Sequence, residues 1–116
     1  MKIVIDDILK AAGIKYRRSR FPSPPVETYA VFFENIEVDS ADPVILDSSG
    51  GLPRVLTHSV TVELYEPGPD DDTEQAIESA LNAVGLSWTK QDREWLQDVQ
   101  RYQVIYEFDF LTKQGG

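Results

Sequence analysis

Residues 101–110, RYQVIYEFDF, show a regular alternation of side-chain types. The apolar and aromatic side chains recur at every second position, with mostly polar side chains between them. A two-residue period of this kind is typical of a half-buried β-strand. The apolar side of such a strand needs a covering layer, and we expect a helix to provide it. The residues on that side are Tyr102, Val104, Tyr106, Phe108 and Phe110.

Two helices are predicted by apolar residues at helical spacing. The first lies near 4–12, and the second lies near 73–84, where we expect it to cover the aromatic strand. The acidic run before the second helix predicts an N-terminal cap at Asp72, with Gln75 completing a capping box. The same acids favour the positive end of the helix dipole, so capping explains them without a metal ion.

Strands are predicted near 27–37, 56–66 and 100–111. In the second of these, Val60, Val62 and Leu64 alternate with polar residues and are assigned to the buried side. Helices and strands do not alternate as in β-α-β units, so the sheet should be mainly antiparallel. We therefore predict an α+β fold in the order helix, strands, helix, strands, with both helices packed on one face.

The 116 residues fit one domain, residues 1–116. Within it, residues 15–26 are predicted to form a basic and proline-rich connection, and residues 39–55 a long loop or small hairpin. Residues 112–116 are predicted to be a frayed tail.

Composition narrows the classes of function. The chain has no cysteine, which excludes disulfides and thiolate metal sites. No apolar run approaches the ~20 residues that span a bilayer, and acids near the N-terminus disfavour an export signal, so the cytoplasm is the expected location. A net charge of −9 disfavours binding to nucleic acid over a broad surface.

No set of residues predicts catalysis. His58 is the single histidine, and Ser59 beside it points to the opposite face of the predicted strand, so the two cannot form a catalytic pair. The acids at 70–72 lack the alternating ligands of a calcium loop, and SSGG at 48–51 lacks the lysine of a phosphate loop. We predict no catalytic residue, no cofactor and no metal, and hence no enzyme.

Two segments are candidates for contact with a partner. KYRRSR, residues 15–20, is strongly basic in an otherwise acidic chain, and residues 44–46 form an apolar patch. The basic segment could equally be an edge strand whose charges prevent aggregation. The predicted contact residues are Lys15, Arg17, Arg18, Arg20, Val44, Ile45 and Leu46.

A wider resemblance connects these segments. Residues 58–110, HSVTVELYEPGPDDDTEQAIESALNAVGLSWTKQDREWLQDVQRYQVIYEFDF, together with YAVFFENIEVDSAD upstream, resemble a family of small proteins encoded in the tail-assembly region of long-tailed phages and prophages. The resemblance covers about residues 27–111. The layout also resembles tail-terminator, tail-completion and head-tail joining proteins.

This resemblance implies a non-enzymatic virion protein of the tail or neck, present in the host cytoplasm during assembly. Its expected partners are other copies of itself, the tail-tube proteins and the head-completion proteins. The copies would form a ring, for which six is a candidate number of subunits and assembly only on a tail template is a candidate requirement. The alternative is a small acidic binding, adaptor or inhibitor module that recognises a basic protein.

Overall fold

The structure is a computed structural model that describes residues 5–18, 20–21, 23–38 and 54–114. These residues form two helices and six strands. In chain order they are α1 Ile5–Ala11, β1 Lys15–Arg18, β2 Tyr29–Val38, β3 Arg54–Glu66, α2 Asp71–Ala83, β4 Trp88–Lys90, β5 Glu94–Leu96 and β6 Arg101–Gln114. Neither described helix is long and apolar enough to cross a membrane.

The six strands form one sheet in the order β1-β2-β3-β6-β4, and β5 pairs with another part of β6. β1 runs parallel to β2, and every other pair in the described sheet is antiparallel. The aromatic strand, β6, lies inside the sheet between β3 and β4. The mainly antiparallel α+β fold is therefore confirmed.

One face of the sheet packs against both helices, and we call it the helix-covered face. Even-numbered residues of β3 and β6 point to it, as the burial of Val62, Leu64 and Tyr106 shows. α2 contributes Ile77 and Leu81 to the same core. Burying each such side chain stabilises the folded state by about 1.5–3 kcal/mol, so the buried side of these strands holds the helices on the sheet. α1 adds Ile5, Ile8 and Leu9.

The N-terminal cap of α2 is Asp70, and the prediction of Asp72 was wrong. The Asp70 carboxylate accepts hydrogen bonds from the Thr73 backbone N–H at 3.1 Å and from the Thr28 hydroxyl at 2.6 Å. Asp72 is exposed in the first turn. The helix is therefore capped two residues earlier than predicted. Gly85, at φ 76°, follows its C-terminal end.

Several boundaries differ from the prediction. β1 occupies the start of the 15–26 connection, and β3 begins at Arg54, inside the predicted 39–55 loop. β6 runs to Gln114, so residues 112–114 belong to a ladder with β3 and not to a frayed tail. Backbone pairing needs no apolar side chain, and it continues past the point where the apolar pattern stops.

The long strands are about twice the length of α2. The 13 residues of α2 span about 20 Å, whereas the 13 residues of β3 and 14 of β6 span about 45 Å. We call the end of the sheet formed by residues 33–38, 54–59 and 109–114 the distal arm.

Candidate functional site

The basic segment does not form one continuous patch. Side chains alternate along β1, so Arg17, which pairs with Val31, lies on the face opposite the helices, and Arg18, which pairs with Phe32, lies on the helix-covered side. We call the face opposite the helices the open face. Lys15 shares the open face with Arg17. The predicted site is thus divided between two faces of the sheet.

Two of the four bases have partners within the chain. Lys15 forms an ion pair with Glu27, and Arg18 lies 3.5 Å from Glu34 and 5.2 Å from the ring centroid of Phe32. In the described part of the chain, Arg17 and Arg20 have no carboxylate partner. Arg17 instead lies over the ring of Phe21, 5.8 Å from its centroid. Among the described residues, these two guanidinium groups are therefore the candidates for contact with a partner.

A groove on the open face lies beside these two arginines and has a volume of about 190 Å³. Its floor is aromatic: Tyr29 stacks on Tyr65 with 5.1 Å between centroids, and Phe21 meets Tyr29 edge-on at 5.3 Å. Burial, followed by a hydrogen bond to Glu63, raises the pKa of Tyr65 to about 12, so this phenol stays protonated well above neutral pH. The groove is lined by Arg20, Phe21, Pro24, Tyr29, Val31, Glu63, Tyr65 and Val99.

The predicted apolar contact patch, Val44, Ile45 and Leu46, lies outside the described residues, as does the rest of 39–53. Its role stays a prediction.

A network that the sequence did not predict crosses the distal arm. His58 Nδ1 lies 3.0 Å from Glu34 Oε2, and His58 Nε2 lies 2.8 Å from Thr112 Oγ1. The order carboxylate, imidazole, hydroxyl is also that of a hydrolase triad. Here the three groups lie on β2, β3 and β6, so the network ties together three neighbouring strands. The prediction that His58 has no catalytic role stays a prediction.

A second network lies where β3, α2 and the segment before β5 meet. Arg93 donates to Glu66 at 3.1 Å and to Glu74 at 2.6 Å, and both carboxylates are buried. The second oxygen of Glu66 is buried and has no hydrogen-bond partner among the described residues. Burial, with the neighbouring Glu74 carboxylate, raises the pKa of Glu66 to about 8. Two further ion pairs belong to the network. Lys90 lies 2.8 Å from Glu74, and Asp71 lies 2.7 Å from Arg93.

This cluster accounts for part of the acidic run. Asp70 caps α2, and Asp71 pairs with Arg93. Over the described residues, no group of three or more metal-ligating side chains is arranged to hold an ion. Glu66 could have been found from the sequence, because it continues the inward series Val60, Val62 and Leu64 at the same two-residue spacing, and a buried carboxylate needs a basic partner.

The two tryptophans pack within the fold. Trp88 meets Tyr106 edge-on at 5.8 Å and donates to Asn82, and Trp95 meets Tyr102 at 4.9 Å. Trp95 remains 42% exposed. Both tryptophans lie on short strands that pair with β6, and both pack against aromatic side chains of β6.

No protein-family model and no curated protein sequence matches the chain. Solved structures do match it. One is a chain of the structure described as "Virion of native gene transfer agent (GTA) particle", with a TM-score of 0.54 and 13% sequence identity. The match covers 91% of this chain and 84% of that chain. At this identity the likeness shows a shared fold, which extends over nearly the whole of both chains.

Proposed function

We propose that this chain is a non-enzymatic structural protein of a phage or prophage virion, and that it forms a ring through self-association as a tail-terminator, tail-completion or head-tail joining component. The observation that carries the proposal is the fold shared with a chain of a gene transfer agent virion over 91% of this protein. The order of elements quoted from the sequence independently resembles tail-assembly proteins.

The surface supports self-association. A closed ring of identical subunits needs two different, complementary patches on each subunit. Arg17 and Arg20 supply an exposed basic patch, and a chain of net charge −9 offers acidic surface elsewhere. Lys15 and Arg18 already have carboxylate partners, so their contribution to the contact should be smaller.

The proposed place of the protein is the tail or neck of the particle, and the host cytoplasm during assembly. Its proposed partners are other copies of itself, the tail-tube proteins and the head-completion proteins. The proposal assigns it no membrane, nucleic acid, cofactor or metal.

The test is complementation of a phage or prophage from which this gene has been deleted. Deletion should give tails that are unjoined to heads or of abnormal length in electron micrographs, and the wild-type gene should restore normal particles. Arg17→Glu and Arg20→Glu should fail to restore them. Arg18 is left unchanged because a carboxylate at that position would face Glu34.

Lys10→Glu is the matched control, since Lys10 is an exposed base on α1 and the change in charge is the same. It should restore normal tails. Normal particles from the deletion strain would overturn the proposal. A protein absent from particles and bound to a basic host or phage protein would favour the adaptor or inhibitor alternative.

A further inference from the structure

The open face of the distal arm combines exposed apolar and acidic side chains. Leu111 is 66% exposed and Phe33 is 40% exposed. Asp109 lies two residues before Leu111 on the same face of β6. Leu111 pairs with Thr57 on β3, and Thr57 pairs with Glu37 on β2, so Glu37 also lies on this face. Both carboxylates are in exposed residues. An exposed apolar side chain with one carboxylate beside it along the strand and another across the sheet is a surface that fits an apolar pocket with basic surroundings.

The groove on the open face has the opposite character. Most of its lining is aromatic or aliphatic, Val99 at its rim is 44% exposed, and Arg20 lines it while Arg17 lies over the adjacent Phe21. Its one acidic lining residue in the described part of the chain, Glu63, accepts a hydrogen bond of 2.8 Å from the Tyr65 hydroxyl. Neither arginine has a carboxylate partner among the described residues. The groove therefore offers a pocket for one apolar side chain and two cations beside it.

We propose that the distal arm of one copy docks in the open-face groove of a second copy, with Leu111 in the groove and Asp109 and Glu37 facing Arg17 and Arg20. This inference rests on the self-association in the proposed function and names the two surfaces that make it.

The occupant is a second copy because the two surfaces match in charge and cannot meet within one chain. Both lie on the same face of a single sheet. Gln103, which pairs with Tyr65 at the groove, precedes Leu111 by eight residues on β6, about 27 Å along the strand. The contact joins two different patches, so the copy that supplies the arm still has a free groove, and the copy that supplies the groove still has a free arm. Such head-to-tail contacts close into rings or continue as filaments.

The chain has no cysteine, which allows a direct test by crosslinking. Val99→Cys marks the groove, and Leu111→Cys marks the arm. Equal amounts of the two purified variants, each checked by circular dichroism, are mixed at high concentration with a short bis-maleimide. We expect the mixed pair to give at least threefold more crosslinked dimer than either variant alone, because only the mixture brings the two thiols together at one contact.

Val38→Cys is the matched control. Val38 belongs to the same arm and is 49% exposed, but it lies on the other face of the sheet. Its mixture with Val99→Cys should give no excess dimer. Asp109→Arg added to the Leu111→Cys copy, or ~1 M salt, which shortens the screening length to about 3 Å, should reduce the yield for the productive pair.

Equal yields for the Leu111 and Val38 pairs, or no dimer from either, would overturn the interface. Preferential dimers of Leu111→Cys with itself would also overturn it, because they indicate a symmetric contact between two arms. The particle assay separates this result from the proposed function. Defective tails in the deletion strain without the predicted crosslink would leave the function and remove this interface. A specific crosslink together with normal tails in the deletion strain would support this interface and overturn the proposed function.

Discussion

Arg93 Nε donates a hydrogen bond of 3.1 Å to Oε1 of Glu66, a carboxylate whose side chain has no exposed surface. The other oxygen of Glu66 has no partner among the described residues, and Glu74 lies in the same cluster. Two buried carboxylates that share one arginine are most stable when one of them keeps its proton. Burial raises the pKa of Glu66 to about 8. Burial also acts to raise the pKa of Glu74, but its hydrogen bonds and the nearby bases outweigh burial and lower that pKa.

Glu66→Gln should remove a pH dependence of stability. A folded-state pKa near 8 lies above the ordinary value of 4.5, so this group contributes stability that is complete below about pH 4.5 and is lost as pH rises toward 8. The free energy of unfolding from urea titrations should fall over this window in the wild type, by at most about 1.4 kcal/mol per pH unit from this group. Glutamine resembles the protonated acid, so the variant should gain relative to the wild type as pH rises.

Glu94→Gln, an exposed carboxylate on β5, is the control and should follow the wild type at every pH. If Glu66→Gln instead ran parallel to the wild type between pH 5 and pH 8, Glu66 would be charged throughout that range in the folded protein.

Asp70→Ala should destabilise the protein by about 1–2 kcal/mol because the first turn of α2 loses its cap. Asp72→Ala should change stability by less than about 0.5 kcal/mol, as expected for an exposed site. Burial opposes the charge of Asp70, but hydrogen bonds from Thr28 and Thr73 outweigh it and lower its pKa, so its contribution is lost as pH falls through that lowered pKa. Equal losses for both variants at pH 7 would contradict the assignment of the cap.

Val62→Asp should unfold the protein. Val62 is 2% exposed beneath the helices, and an unpaired carboxylate there costs several kcal/mol, a large part of the ~5–15 kcal/mol that stabilises a typical domain. Thr61→Asp is the control on the next residue, which points to the open face. Circular dichroism should show a folded protein for Thr61→Asp only, and a cooperative melt of Val62→Asp near the wild-type temperature would show that the faces are misassigned.

His58→Ala should lower stability and leave assembly intact. Glu34 and Thr112 lose their imidazole partner in a partly buried position, which should cost about 1–3 kcal/mol in urea unfolding. Ser59→Ala on the opposite face is the control and should cost less. Ester hydrolysis by the wild type that disappears in His58→Ala would show that the Glu34–His58–Thr112 network is catalytic.

The alternation of side chains was enough to predict the core. Val60, Val62 and Leu64 lie where a two-residue period places them, because one face of the sheet is buried and a register shift would expose all three. The aromatic side of β6 is likewise buried against the helix layer, with Tyr106 donating to Glu78 of α2.

Other features depend on partners far away in the sequence. The length of β6 is set by its backbone pairing with β3. This pairing includes Leu56 with Thr112, and the polar Thr112 gives no sign in the sequence that the strand continues. The basic segment is split because side chains alternate along β1, and the pairing of β1 with β2 decides which of these bases lie on the helix-covered face. Arg93 comes from a polar stretch between two short strands, and its role appears only when Glu66 and Glu74 are brought to it.

The position of β6 inside the sheet has a consequence for the order of events during synthesis. β6 is the last strand in chain order, yet β3 depends on it for a ladder whose partners, from Glu66 with Tyr102 to Arg54 with Gln114, are 36 to 60 residues apart. β2 and β3 can pair early, but α2 has no complete sheet to cover until β6 is made. Non-local pairing of this kind is slow, so the sheet should be completed late, after β6 leaves the ribosome. Partly made chains would then carry neither a finished groove nor a finished arm.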